Sequence, residues 1–243
     1  MSTLLIAVGL SLIGGLGGLL VASTLLLLKD SVRSKLIPWL VSYAVGALLG
    51  VSMLALLPKS LEQLPPPRVF STLLLGILLF FVLEKLVLWR HCHIHDCEVH
   101  ESSVFPVLIG DAFHNFVDGA VVSAAVMTSV PLGVTTAVAV AAHEIPQEIG
   151  DFAILLHAGY SRGRALLLNV LSATASAAGA VAAFVALDNV PRMLPYFLVL
   201  AAASFLYVAM ADLIPGLHRG RTDASSMRQI LLIAAGIATM LIL

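Results

Sequence analysis

The chain has 243 residues, of which 60% are hydrophobic and only 11% are charged. Soluble domains contain about 25% charged residues, so this composition excludes an ordinary soluble domain and indicates a protein embedded in a membrane. The formal net charge of -1 at pH 7 argues against nucleic acid as a partner. Two cysteines are too few for a disulfide framework.

Eight apolar stretches are long enough to be membrane-spanning helices, because a hydrocarbon core about 30 Å thick requires roughly 20 residues per helix. In chain order they cover residues 4–28, 36–57, 69–89, 104–128, 132–157, 165–187, 193–216 and 227–243. The first stretch has neither a basic segment nor a small-residue cleavage site, so we interpret it as a span rather than a signal peptide. The connections are too short for another domain, and residues 1–243 are predicted to form a single all-α transmembrane domain.

Basic residues predict the orientation of these spans. The loops after the first, third, fifth and seventh spans hold ten Lys and Arg residues, whereas the other loops hold three. Loops rich in Lys and Arg face the cytoplasm. We therefore expect a multi-pass protein of the inner or plasma membrane, with both termini outside the cytoplasm and the loop of residues 90–103 inside.

The fourth and fifth predicted spans each contain a polar run among apolar residues. The runs are HNFVDGA at positions 114–120 and HEIPQEIGD at positions 143–151. Side chains four residues apart lie on the same face of a helix. The pairs that share a face are therefore His114 with Asp118, His143 with Gln147, and Glu144 with Glu148.

The two runs are predicted to meet inside the membrane. The turn between the two spans falls near residues 129–131, and antiparallel helices rise equally from their turn. Residues equally distant from the turn then lie at equal depth. The predicted pairs are Asp118 with His143, Asn115 with Glu144, and Asp111 with Glu148.

The excess of acidic groups at this depth favours a metal site. An ionisable side chain at the centre of a membrane helix costs roughly 2.5–3.5 kcal/mol on insertion scales. Interhelical hydrogen bonding would explain a single Asn or His, but residues 104–157 contain several acids and no Lys or Arg. Either a cation supplies the missing charge or most of these acids are protonated. Imidazole, amide and carboxylate groups together suit Zn(II), Fe(II), Mn(II) and Co(II).

The two polar runs resemble the motifs of a known family. HNFVDG followed by HEIPQE on the next span, with LLPKSLE closing the second span, is similar to the ZIP family of divalent-metal transporters. The resemblance implies eight helices, with helices 1–3 and 6–8 forming an inverted repeat around helices 4 and 5. It also implies movement of Zn(II) or a similar ion, such as Fe, Mn, Co or Cd, towards the cytoplasm as the substrate, often through a two-metal centre.

The resemblance also implies which residues bind the metal. Its first site corresponds to His114, Asp118, His143 and Gln147, and its second to Asn115, Asp118, Glu144 and Gln147. The chain departs from the family pattern at Gln147, where many members have His or Glu. It also departs on the sixth span, where some members have a carboxylate and this chain has only Ser172, Thr174 and Ser176. Glu148 is either a ligand or a proton acceptor.

Further contacts with the metal are expected outside these two runs. The predicted cytoplasmic loop contains HCHIHDCEVHE, and we interpret it as a flexible acceptor for metal leaving the pathway, because its Cys and His spacing matches no closed zinc motif. Asp212 on the seventh span either lines the exit or caps the bundle. The additional pathway or loop contacts are Asp111, Asp151, Asp212, His91, His93 and His95.

Two other functions use some of the same residues. A pore without alternating access would need the same ligands as a transporter. An intramembrane zinc protease would need H-E-x-x-H, but Gln147 stands where the second histidine is required. We therefore expect no enzymatic activity and no cofactor beyond the transported ion. The expected partners are the lipid bilayer and divalent metal ions, and a homodimer is left open.

Overall fold

The computed structural model describes residues 2–89, 104–217 and 224–243, which form eight helices. We number them α1 to α8 in chain order. They are α1 Ser2–Leu25, α2 Asp30–Leu61, α3 Pro66–Trp89, α4 Val104–Thr128, α5 Val130–His157, α6 Arg162–Asn189, α7 Pro191–Leu217 and α8 Ala224–Ile242. No β-strand occurs in these ranges. Each predicted span overlaps one of these helices, and the fourth agrees at both ends.

Length and composition identify α1, α2, α3, α6 and α7 as candidate membrane spans, and α8 contains a shorter apolar helix. The polar runs of α4 and α5 lower the hydropathy of these two helices. Large apolar side chains of α3, including Phe70, Leu74 and Leu78, are more than half exposed, as expected for a surface that contacts lipid. The chain is therefore an all-α, multi-pass membrane protein, as predicted.

A tight turn joins α4 to α5. Ser129 has extended backbone angles, φ -164° and ψ 148°, and its Oγ accepts a hydrogen bond from the Leu132 N–H at 3.3 Å. This is a side-chain N-cap, which satisfies one of the free N–H groups at the start of α5. Pro131 lies in the first turn, where its missing N–H costs nothing. The turn makes α4 and α5 an antiparallel pair and sets the register of their polar runs.

Two glycines allow α4 and α6 to pack backbone against backbone. A Cβ atom added at Gly119 of α4 would lie 1.8 Å from the Ser176 carbonyl oxygen. One added at Gly179 of α6 would lie 1.8 Å from the Phe116 carbonyl oxygen. Both contacts involve rigid backbone, so neither position has room for a side chain. Because Phe116 and Gly119 lie within the polar run of α4, these contacts bring α6 close to that run.

The helices pack in two groups that meet at the polar runs. Helices α1, α4, α5 and α6 contact one another, whereas α2 packs against α8 and α7 packs against α3. We call α1, α4, α5 and α6 the first group and the other four helices the second. The two groups contact each other where α2 packs against α5 and α7 packs against α4. Helices α4 and α5, which carry the polar runs, therefore contact helices of both groups.

Helices α2 and α7 share an irregular feature. Each contains a six-residue π-helical segment, Val51–Leu56 in α2 and Val208–Leu213 in α7. In each helix a proline follows two residues after the segment, Pro58 and Pro215. Equivalent irregularities in the second and seventh helices agree with the predicted inverted repeat. Such π-helical turns are frequent at functional sites.

Candidate metal centre

Four side chains from α4 and α5 point their donor atoms at one place. His114, Asp118, His143 and Glu144 each offer one atom, and these atoms all lie within 4.8 Å of one another. His143 Nε2 lies 2.9 Å from Asp118 Oδ2, which is the contact that the depth argument predicted. His143, Asp118 and Glu144 are buried, whereas the His114 side chain is 21% exposed. We call this group the metal centre.

Five of the six separations between the donor atoms are comparable with those around a tetrahedral zinc ion. Zinc bonds of ~2.0–2.1 Å require donor atoms ~3.3–3.4 Å apart at the corners of a tetrahedron. The two histidine Nε2 atoms are 3.1 Å apart. His114 Nε2 lies 3.6 Å from both Asp118 Oδ2 and Glu144 Oε1, and His143 Nε2 lies 3.9 Å from Glu144 Oε1. These distances bracket the tetrahedral value.

The environment of His143 leaves its Nε2 free for a metal. Its Nδ1 lies 3.0 Å from the carbonyl oxygen of Ala139, one turn earlier on α5. A carbonyl oxygen can only accept, so Nδ1 carries a proton, and in the neutral ring Nε2 then presents its lone pair. Metal-binding histidines are commonly oriented by such a bond from the second nitrogen. The Phe205 ring of α7 packs edge-on against the imidazole, with ring centroids 5.9 Å apart.

The charge of the metal centre favours a bound cation. Neither carboxylate oxygen of the fully buried Glu144 has a hydrogen-bond partner within the described part of the chain. Leaving a buried acceptor unsatisfied costs about 1–3 kcal/mol, and more for a charged group. Neutral His114 and His143 with ionised Asp118 and Glu144 carry a charge of about -2. A divalent ion would neutralise this charge and satisfy the free oxygens.

The amides of Asn115 and Gln147 are oriented by Asp111. The amide nitrogen of Asn115 donates to Asp111 Oδ1 at 3.1 Å, and that of Gln147 donates to the same oxygen at 3.4 Å. A carboxylate can only accept, so each amide turns its nitrogen towards Asp111. The amide oxygens remain as donors for a metal, and Asn115 Oδ1 is buried without a partner among the described residues.

The remaining predicted contacts lie elsewhere. Glu148 is outside the four-atom group and lies near Asp111 and Asp151. Asp212 belongs to the π-helical segment of α7 and approaches His114 and His143 from that side. His91, His93 and His95 fall outside the described residues.

Sequence reasoning missed one buried polar residue near this region. Asn169 of α6 is 0% exposed, and neither its amide nitrogen nor its amide oxygen has a partner in the ranges that the structure describes. Its position as the one amide in the apolar stretch ALLLNVLSA was a usable signal. A buried asparagine without partners is unusual, since buried polar groups are nearly always hydrogen-bonded.

The family model described as ZIP Zinc transporter matches residues 89–243. The chain is 32% identical over 220 residues to Zinc transporter ZIP13 of Pongo abelii, which covers 84% of this chain and 65% of that protein. It is 44% identical over 117 residues to Zinc transporter ZIP4 of Homo sapiens, which covers 48% of this chain and 18% of that protein. It is also 38% identical over 122 residues to Zinc transporter ZIP10 of Danio rerio, covering 50% of this chain and 14% of that protein. The chain thus spans less than two thirds of the length of each of these relatives.

Proposed function

Because the chain belongs to the ZIP family of zinc transporters, we propose that it moves a divalent transition-metal ion of the zinc class across a membrane. The observation that carries the proposal is the metal centre. Four donor atoms of His114, Asp118, His143 and Glu144 lie within 4.8 Å of one another inside a multi-pass helical protein. The relatives are named zinc transporters, which supports the same class of ion.

The donor set favours zinc over harder ions at this position. Two imidazole nitrogens and two carboxylate oxygens suit borderline metals, and imidazole binds Zn(II) better than Mn(II). Iron, cobalt and cadmium share enough of this chemistry to be alternative substrates. Asn115 and Gln147 would add neutral oxygens, which hold an ion less tightly than a charged ligand. A site of this kind can bind an ion inside the membrane and still release it.

We propose that the ion moves towards the cytoplasm. The uneven distribution of Lys and Arg predicts outer termini, which places the start of α4 and the end of α5 at the cytoplasmic side. Asp151 lies two turns beyond His143 towards that end of α5, and Asp212 approaches from α7. These carboxylates would receive the ion after it leaves the histidines. The loop of residues 90–103 would be the last acceptor.

Peptide hydrolysis is a poorer explanation of the same cluster. The residue four positions after His143 is Gln147, whose amide nitrogen donates to Asp111. A zincin site would need a second histidine there. Family membership also places the chain among transporters.

The test is metal uptake into liposomes that contain the purified protein. Zinc uptake is expected for the wild type and is expected to fall to the protein-free rate for His143→Ala and Asp118→Ala. His157→Ala and Asp188→Ala are matched controls, because both side chains are exposed and lie at the ends of helices away from the metal centre. Wild-type uptake by both centre variants, with normal folding, would refute the assigned site.

A further inference from the structure

A second buried polar group lies one helical turn from the metal centre, towards the start of α4. It is formed by side chains of three helices, α4, α5 and α6. We call it the oxygen cluster, and its members are Asp111, Glu148, Asp151, Asn169 and Ser172. Asn169 lies close to the Glu148 carboxylate, and Ser172 lies close to Asp111.

Polar atoms of the oxygen cluster are buried without partners. Glu148 and Asn169 are both 0% exposed, and all four of their side-chain polar atoms have no hydrogen-bond partner in the described structure. The same holds for Ser172 Oγ, Asp111 Oδ2 and Asp151 Oδ2. Native proteins rarely leave so many buried polar atoms unsatisfied in one place. So many unsatisfied atoms on neighbouring side chains indicate that the cluster binds something other than protein.

The charge of the oxygen cluster identifies that ligand as a cation. Three of its five members are carboxylic acids, and residues 104–157 contain no Lys or Arg. On α6 the nearest basic residues along the helix are Arg162 and Arg164, both exposed at its start. The Arg164 guanidinium lies over the Tyr160 ring, 5.0 Å from its centroid. No protein cation therefore compensates these acids within the described ranges.

The donor atoms identify the class of cation. We propose that the oxygen cluster is a second metal site, which binds a divalent ion that prefers oxygen ligands, such as Mn(II), Mg(II) or Ca(II). Its members offer carboxylate, amide and hydroxyl oxygens but no imidazole and no thiolate. Such sets suit hard ions, whereas the metal centre with its two histidines suits zinc. Two ionised carboxylates suffice to neutralise a divalent ion.

Asp111 connects the two sites. Its Oδ1 accepts hydrogen bonds from Asn115 and Gln147, the two amides of the polar runs. Its Oδ2 is buried and free to bind a cation in the oxygen cluster. An ion held by Oδ2 would withdraw charge from Oδ1 and weaken its bonds to both amides. Occupancy of the oxygen cluster would therefore change how the metal centre holds its own ion.

The test measures Mn(II) binding to the full chain in detergent by electron paramagnetic resonance. The background has the histidines and cysteines of residues 90–103 replaced by serine, so that the loop does not bind the probe. A double variant, His114→Ala with His143→Ala, removes the imidazoles of the metal centre. It is expected to retain one equivalent of Mn(II), and pulsed spectra should show no coupling to imidazole nitrogen.

Two further substitutions are made in the double variant. Each removes one metal ligand of the oxygen cluster and nearly preserves the volume of the side chain. Glu148→Gln and Asn169→Leu should each weaken the retained Mn(II) binding at least tenfold. Glu62→Gln is the matched control and should leave it unchanged, because Glu62 is exposed and pairs with Lys59 at 2.6 Å. Folding is checked by size-exclusion chromatography. If one of the two variants does not fold, the other still tests the proposal.

Two results would overturn the proposal. The first is loss of all Mn(II) binding in the histidine double variant, which would mean that the metal centre is the only binding site for this probe. The second is unchanged Mn(II) binding in both Glu148→Gln and Asn169→Leu. Neither result affects the proposed transport function, which fails only if His143→Ala and Asp118→Ala leave zinc uptake intact.

Discussion

The substitution Glu144→Gln tests whether Glu144 binds a metal or only links α4 to α5. The two roles predict opposite changes in the stability of the metal-free protein. Glu144 is fully buried, and both of its carboxylate oxygens lack hydrogen-bond partners among the described residues. Without metal, the carboxylate therefore destabilises the folded protein. Glutamine has nearly the same shape and no charge, and its amide can donate to Asp118. We expect the metal-free variant to be more stable by about 1–2 kcal/mol.

The same substitution should weaken zinc binding. Removing one partner of a buried ion pair costs about 3 kcal/mol or more, which corresponds to roughly 150-fold in affinity. At a zinc concentration of about 100 times the wild-type Kd, binding stabilises the wild type by about 2.7 kcal/mol. At the same concentration, a 150-fold weaker variant gains only about 0.3 kcal/mol. Glu144→Gln is thus expected to be more stable than wild type without zinc and almost insensitive to added zinc.

Thermal unfolding of the detergent-purified protein, followed by tryptophan fluorescence, measures both effects. A stability change of 1–2 kcal/mol corresponds to about 2–8 °C in Tm for a chain of this size. Glu62→Gln is the control, since this exposed residue forms only a surface ion pair with Lys59. A lower Tm without zinc, together with a zinc-induced rise equal to that of the wild type, would refute the role assigned to Glu144.

Three other predictions follow from the structure. Gln147→His should tighten zinc binding relative to manganese and slow zinc uptake, because imidazole is the stronger ligand for zinc; calorimetry showing unchanged affinity and preference would mean that this position is not a ligand. Gly179→Ala should lower stability by about 2 kcal/mol or more and reduce uptake, because its Cβ would lie 1.8 Å from a carbonyl oxygen of α4. Gly150→Ala, where a Cβ would have open space, should do neither in the same assays. A cysteine placed within residues 90–103, in a chain without its native cysteines, should resist impermeant thiol reagents added outside intact cells; labelling from outside would invert the predicted orientation.

The ends of the helices show what hydropathy predicts well and what it does not. The span predicted at residues 104–128 agrees with α4 at both ends, because Ser129 and Pro131 mark the turn that follows. Helix α2, in contrast, begins at Asp30, six residues before the predicted span. These six residues, DSVRSK, are mostly polar and are too hydrophilic to be counted as membrane-spanning. Hydropathy detects the part of a helix inside the hydrocarbon, whereas backbone hydrogen bonding continues beyond it.

The π-helical segments lay beyond sequence reasoning. Val51–Leu56 and Val208–Leu213 have the apolar composition of ordinary membrane helix, apart from Asp212. A π-helical turn differs from an α-helical one only in which carbonyl each N–H contacts. No residue type within either segment requires that choice. The placement of Asp212 in such a turn therefore emerged only from the structure.

The candidate site was likewise predictable from the sequence only in part. Counting residues from the turn placed Asp118 opposite His143, and the structure brings their side chains to 2.9 Å. The same count placed Asn115 level with Glu144, yet the Asn115 amide donates to Asp111 on its own helix. Depth in the membrane determines which side chains can come into contact, whereas their rotamers determine which of them form the contact. Asn169 was missed because its position depends on how closely α6 approaches α4, and the sequence does not reveal this before the helices are packed.

X-ray absorption at the zinc edge tests the central claim most directly, because it reports the atoms bound to the ion. The sample is the full chain loaded with one equivalent of zinc, with the histidines and cysteines of residues 90–103 replaced by serine. We expect nitrogen and oxygen neighbours of the zinc ion at ~2.0–2.1 Å. We also expect imidazole scattering from two histidines in the wild type and from one histidine in His143→Ala. Zinc neighbours without imidazole scattering, or a spectrum unchanged in His143→Ala, would contradict the central claim.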